Sequence, residues 1–204
     1  MKVLIAVPCM DQVAAGFAQS LATLNKVGEC SVAFIQNSLI YDSRNKIAKM
    51  AIEMQSDFVM WFDSDMIFAP DVLERLMKHA EDGKDIISGL YFRRAAPYTP
   101  VLFKTLTPCP DGMHAETFND YPDETFECAG IGFGCVLVRT QVLFDMAAKF
   151  GDWFSPIGRI GEDIAFCIRA RELGYKIHVD PTIKCGHIGQ AVITESFYKM
   201  VREK

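Results

Sequence analysis

The chain has 204 residues, of which 50% are hydrophobic and 23% charged, with a formal net charge of −5. That balance excludes a disordered segment and gives no long-range pull toward nucleic acid, whose phosphates call for a basic surface. The length suits a single domain over residues 1–204, with no linker, repeat or low-complexity stretch to divide it.

Lys2 to Val7 reads as a buried strand, followed by Pro8 and a helical pattern from about Val13 to Leu24. Ser31 to Ile35 repeats the strand signal, 37–43 reads as loop, and Arg44 to Gln55 carries Ile47, Ala48, Ala51 and Ile52 at helical spacing. Phe58 to Phe62 is the third strand. Pro70 suits the first turn of a helix that runs to about Glu81, with Gly83 ending it and a fourth strand over Asp85 to Tyr91. Strands alternating with helices of this length predict an α/β fold, a doubly wound and mostly parallel sheet with right-handed crossovers. Between Arg93 and Gly130 the rhythm changes to Pro-rich loops with short strand candidates, Val101 to Thr105 and Thr125 to Cys128, as expected of a small antiparallel extension. Cys135 to Val138 is then a strand, Thr140 to Phe150 a helix, Gly161 to Leu173 a helix closed by Gly174, and Lys176 to Val179 a last strand before the segment Ile183 to Gly189. The tail 194–204 is weakly amphipathic through Phe197, Met200 and Val201 and is expected to pack on the domain.

Seven cysteines at irregular spacing, with no C-x-x-C pair, argue against a zinc ribbon or a disulfide framework and for reduced thiols in a cytoplasmic setting. The apolar run Val3 to Val7 is shorter than a signal-peptide core, and no stretch has the length to cross a bilayer.

Chemistry concentrates first at Asp63-Ser64-Asp65, where an apolar strand delivers two carboxylates one residue apart. Hard cations such as Mg²⁺ or Mn²⁺ take oxygen ligands and are completed by substrate phosphates, so the pair suits a phosphorylated ligand. With 15 Asp in the chain, chance alone supplies about one such pair; its place at the carboxyl end of a strand is what raises its weight. A second acidic pair, Glu162-Asp163, opens the helix that begins at Gly161. There it could cap backbone N–H groups, or Asp163 could take a proton from a substrate hydroxyl.

The run Gly161-Glu162-Asp163 to Gly174-Tyr175 resembles the GED-containing acceptor helix of glycosyltransferases with the GT-A fold, family 2 above all. Asp63-Ser64-Asp65 resembles that family's DxD, and His187 its C-terminal metal-binding histidine. Tyr41 to Ala48, which includes Arg44-Asn45, resembles the helix start of one subgroup, and Gly130 to Gly134 resembles its glycine-rich acceptor loop. The resemblance implies a single GT-A domain with a nucleotide-binding half over 1–92 and an acceptor-binding half over 93–204. It implies transfer from a nucleoside diphosphate sugar, a UDP-sugar first among them, to an acceptor hydroxyl.

The roles it implies are Asp65, His187 and Asp63 at a Mn²⁺ or Mg²⁺ ion, Asp163 as base in an inverting reaction, and Glu162 as the residue that orients the acceptor. Pro8, Arg44 and Ser64 are implied on the donor side, with Asp63 also reaching toward ribose, and Gly132 on the acceptor side. From the residues themselves, Asp11 could contact base or ribose, and Arg94 after a strand end could reach the donor or be a solvated basic residue. The aromatic face of Trp153 could stack on an acceptor sugar or belong to the core. Asn45 would buttress the loop. The chain departs from the family after the first strand, where Cys9-Met10-Asp11 follows Pro8, and at Ile35-Gln36-Asn37, which lacks the paired aspartates that often read uracil. A haloacid-dehalogenase-like phosphatase would also put D-x-D after an apolar strand, but its motif belongs on the first strand and continues with Thr or Val where Ile67 stands. A nucleotidyltransferase would want a Gly-rich basic loop after the first strand. A sugar-nucleotide binding module without turnover is the non-enzymatic alternative. The acceptor, whether glycan, protein, metabolite or nucleic acid, is not written in the sequence.

Overall fold

The computed structural model describes residues 1–109, 112–190, 194, 195 and 199; the amphipathic tail expected through Phe197, Met200 and Val201 lies outside them. The chain starts with β1 (Lys2–Pro8), α1 (Ala15–Ala22), β2 (Glu29–Ile35), α2 (Ile40–Glu53) and β3 (Phe58–Phe62). It continues through the two-residue β4 (Met66–Ile67), α3 (Val72–Glu81) and β5 (Ile86–Leu90). The second half holds β6 (Leu102–Cys109), β7 (Gly112–Thr117), β8 (Phe126–Cys128), β9 (Gly130–Ile131) and β10 (Cys135–Arg139). It closes with α4 (Thr140–Phe150), α5 (Glu162–Glu172), β11 (Ile177–Lys184) and β12 (Gly186–His187).

Among the described residues the main sheet runs β2-β1-β3-β10-β5-β11-β8. β1 pairs parallel with β2 and β3, and β5 parallel with β11, whereas β10 is antiparallel to both of its neighbours. The mostly parallel sheet is as expected, with β10 reversed in its middle and β8 antiparallel to β11 at its edge. The reversal follows from connectivity: Cys135 opens β10 opposite Phe62, the last residue of β3, so the chain re-enters the sheet from its carboxyl edge. The antiparallel extension is the small sheet β7-β6-β9. α2 starts earlier than expected, so Ile40 to Ser43, read as loop, forms its first turn.

Alternation along β1 explains the two-layered core. Leu4 and Ala6 face one side with α2, α4 and α5, while Val3, Ile5 and Val7 face the other with α1 and α3. Burying each Leu, Ile or Phe side chain contributes about 1.5–3 kcal/mol. β3 is apolar throughout, as are β1 from Val3 onward and β5 apart from the buried Ser88, because both faces of the sheet are covered.

The glycine run after β9 is shaped by Tyr91, whose hydroxyl accepts the Gly134 N–H at 3.0 Å. A Cβ on Gly132 would stand 2.2 Å from the Tyr91 hydroxyl oxygen and 2.7 Å from a Val101 methyl. Gly132→Ala is expected to destabilise the fold by about 1–3 kcal/mol, through overpacking against a ring held on both sides. A urea melt measures it, and an unchanged midpoint would contradict this packing.

Candidate active site

The carboxyl ends of β1, β3 and β5, the start of α2 and the first turn of α5 surround a cleft of about 550 Å³. Open α/β sheets bind ligands at this edge, because the strand ends and helix starts converge there while the loops leave room. Pro8, Arg44, Asp63, Ser64, Asp65, Arg94, Glu162, Asp163 and His187 all line it.

A small antiparallel bridge brings the DxD and the distant histidine together. Met66 in β4 pairs with His187 in β12, and the Ile188 N–H donates to the Asp65 carbonyl at 2.9 Å. Asp65 and His187 therefore face each other, with Nε2 of the ring 3.4 Å from an Asp65 carboxylate oxygen. The other ring nitrogen lies 2.9 Å from the Phe92 carbonyl, which can only accept, so Nδ1 carries a proton. Such an outer bond fixes the tautomer and orientation of a metal-ligating histidine. Burial pushes the Asp65 carboxyl up, but its bond to His187 and the charges of His187 and Arg94 outweigh that and hold it below the ordinary value. The same bond raises His187 against the opposing effect of burial.

One carboxylate and one imidazole suit Mn²⁺ or Mg²⁺ held partly by substrate phosphates, since these ions keep open positions for them. Among the described residues no group of three or more His, Cys, Asp and Glu side chains forms a self-sufficient cage. Arg94 also contacts Asp65 and brings positive charge to the same carboxylate.

On the opposite wall, Arg44 donates to Asp63 at 2.7 Å and to Glu162 at 2.5 Å. Asp163 sits beside Glu162 in the first turn of α5 and accepts the Ile164 N–H at 2.8 Å. The capping expected of an acidic first turn is thus present, and Asp163 still lines the cleft. Burial raises its pKa; the charges of Glu162 and Asp63 add to the rise, and Arg44 opposes it.

Residues 21–139, more than half of the chain, match the family described as glycosyl transferase family 2. The chain belongs to that family. This glycosyltransferase is similar in fold to the crystal structure of A197 from STIV, with TM-score 0.65 and 16% identity over 93% of this chain and 87% of that one. It is also similar in fold to GalNAc-T7 with UDP, GalNAc and Mn²⁺, with TM-score 0.64 and 11% identity over 99% of this chain and 47% of that one. No curated protein matches it.

Three expected residues of the glycosyltransferase stand outside the cleft wall. Asp11 is exposed beyond Met10, Gly132 supports Tyr91 from behind, and Trp153 donates its indole N–H to the Leu143 carbonyl at 2.7 Å while packing on the core. Cys185, between β11 and β12, is buried against Cys135. Tyr91, Ser38 and Ser43 line the cleft without having been anticipated. Tyr91 follows an apolar strand and reads as core, and the 2.7 Å hydroxyl contact between Ser38 and Ser43 depends on the early start of α2. Strand-end position is the signal that could have flagged Tyr91.

Proposed function

We propose that this glycosyltransferase moves a sugar from a nucleoside diphosphate sugar, a UDP-sugar first among them, to an acceptor hydroxyl with inversion. The observation that carries the proposal is the meeting of Asp63, Asp65, Arg94 and His187 with Glu162 and Asp163 around one cleft. The GalNAc-T7 structure, a complex with UDP, GalNAc and Mn²⁺, supports the donor class and the cation. Asp65 and His187 would hold Mn²⁺ or Mg²⁺, with Asp63 toward the ribose or a water on the ion; when bound, the cation neutralises charge gathering on the departing diphosphate.

The acceptor oxygen forms its bond to the anomeric carbon as the bond from that carbon to the diphosphate oxygen breaks. The electron pair leaves with the diphosphate, and the hydroxyl proton passes to Asp163, which its raised pKa makes a better base than an ordinary carboxylate. Glu162 accepts a hydrogen bond from the acceptor and orients it. Arg94, from the segment after β5, supplies a guanidinium for the diphosphate, whose oxygens suit its fork. Pro8 and Ser64 border the donor, in a division that gives 1–92 to the donor and 93–204 mainly to the acceptor.

Buried thiols at Cys9, Cys128, Cys135, Cys167 and Cys185 support a reducing, cytoplasmic setting. Among the described residues no helix is long and apolar enough to cross a membrane. A phosphatase is disfavoured because the Asp63 carboxylate it would use as nucleophile is held by the Arg44 guanidinium.

Incubation with Mn²⁺ and a panel of UDP-, GDP- and TDP-sugars is expected to release free nucleoside diphosphate slowly, with water as acceptor. Chelation by EDTA should stop the release. Absence of both turnover and any nucleotide-plus-metal thermal shift would refute the proposal.

A further inference from the structure

Arg44 is only 3% exposed, and its guanidinium packs 5.4 Å from the Phe133 ring centre and 5.9 Å from that of Phe154. A charge in such surroundings persists only when its partners are fixed. Both terminal nitrogens are occupied by protein carboxylates, one by Asp63 at the end of β3 and the other by Glu162 at the start of α5. The remaining Nε is buried without a hydrogen-bond partner among the described residues. Two of its five N–H groups, one on each terminal nitrogen, are thus committed to protein carboxylates, and a diphosphate would have to share the guanidinium with both.

The neighbouring residue works on the same connection. The Asn45 amide donates to Asp152 at 2.9 Å and to the Ser155 hydroxyl at 3.2 Å, and its oxygen accepts the Phe154 N–H at 2.8 Å. Two consecutive residues of α2 therefore hold both ends of the segment that leads from α4 into α5. Asn45 grips its beginning, and Arg44 grips the first residue of the acidic helix.

We propose that Arg44 is a positioning residue rather than a donor ligand: it bridges the donor-side carboxylate Asp63 and the acceptor-side carboxylate Glu162, and with Asn45 it sets where α5 presents Asp163. The inference rests on the roles given to Asp63, Glu162 and Asp163 under the proposed function. Two carboxylates on separate elements repel each other, and a planar fork with several fixed donors can join them at once. A lysine at this position keeps the positive charge, but a single ammonium on a flexible stem does not reproduce the fork.

Arg44→Lys in the full chain tests this, using the panel sugar nucleotide with the fastest Mn²⁺-dependent release. The expected result is a Kd for UDP with Mn²⁺ within about threefold of the parent and a kcat for release lower by about 100-fold, the size of effect that misplacing a reacting group produces. A merely structural role does not predict the second readout. In the parent background Asp63→Asn and Glu162→Gln should be non-additive in kcat by about fivefold or more, and in the Arg44→Lys background they should become additive.

If Arg44→Lys instead weakens UDP binding at least about tenfold and leaves kcat intact, Arg44 is a donor ligand and the inference is overturned. Unchanged binding and turnover overturn it as well. Should the variant fail to fold, the double-mutant cycle in the parent background decides: additivity overturns the bridge and coupling supports it. A parent protein that neither binds UDP with Mn²⁺ nor releases nucleotide would overturn the underlying function, and it would do so before any variant is compared.

Discussion

Asp163→Asn is expected to slow nucleotide release by about 10²- to 10⁴-fold, the range set by removing a general base, while UDP and Mn²⁺ still bind. Asparagine keeps the shape and can still accept the Ile164 N–H, so the start of α5 should survive and the loss should fall on kcat. The pH dependence gives an independent check. The Asp163 carboxyl is raised above the ordinary aspartate value, first by burial and then by the charges of Glu162 and Asp63, with Arg44 opposing. A base works only when ionised, so kcat/KM should be constant above this raised pKa and fall as pH drops through it. The acid limb should therefore lie at higher pH than for an ordinary aspartate, and it should disappear in Asp163→Asn. A variant with parental rates and the same pH profile would reduce Asp163 to a helix cap.

Asp65→Ala is expected to abolish the Mn²⁺ dependence of UDP binding and to lower release by at least about 10²-fold, the scale of losing a group that stabilises transition-state charge. Asp65 is where two groups converge, the His187 ring at 3.4 Å through Nε2 and the Arg94 guanidinium. Its removal leaves the imidazole oriented by Phe92 but without its carboxylate partner. His187→Ala should weaken Mn²⁺ in the same direction and spare metal-free stability, since that side chain lies on a two-residue strand outside the main sheet. Calorimetric titration of UDP with and without Mn²⁺ reads both variants. Metal-enhanced UDP binding retained in Asp65→Ala would exclude this carboxylate as a ligand.

Which parts of this site were legible in the chain follows from the range of the interactions involved. The DxD at the end of β3 and the acidic start of α5 declare themselves locally, because a strand end and a helix first turn each leave a signature within a few residues. β4 does not. Two residues carry no periodicity, and Met66 is a strand residue only because His187 pairs with it from the far end of the chain. The antiparallel course of β10 is hidden for a related reason, since a buried strand looks the same in either direction. Trp153 reads equally as a face for a sugar or as a core ring, and the bond of its indole N–H to the Leu143 carbonyl, fixed by how α4 packs, has no local signal in the sequence.

By itself, then, the sequence determined the alternating elements, the two-sided core and the residue types able to hold a cation and accept a proton, because these depend on side-chain chemistry and local spacing. The tertiary structure alone decided which of them share a wall of the cleft. It paired Asp65 with His187 through a two-residue bridge, enclosed Arg44 between Asp63 and Glu162, and left Asp11 and Trp153 outside. Those choices rest on pairings between residues far apart in the chain, whose free energy appears only when the sheet has closed and water has left the space between them.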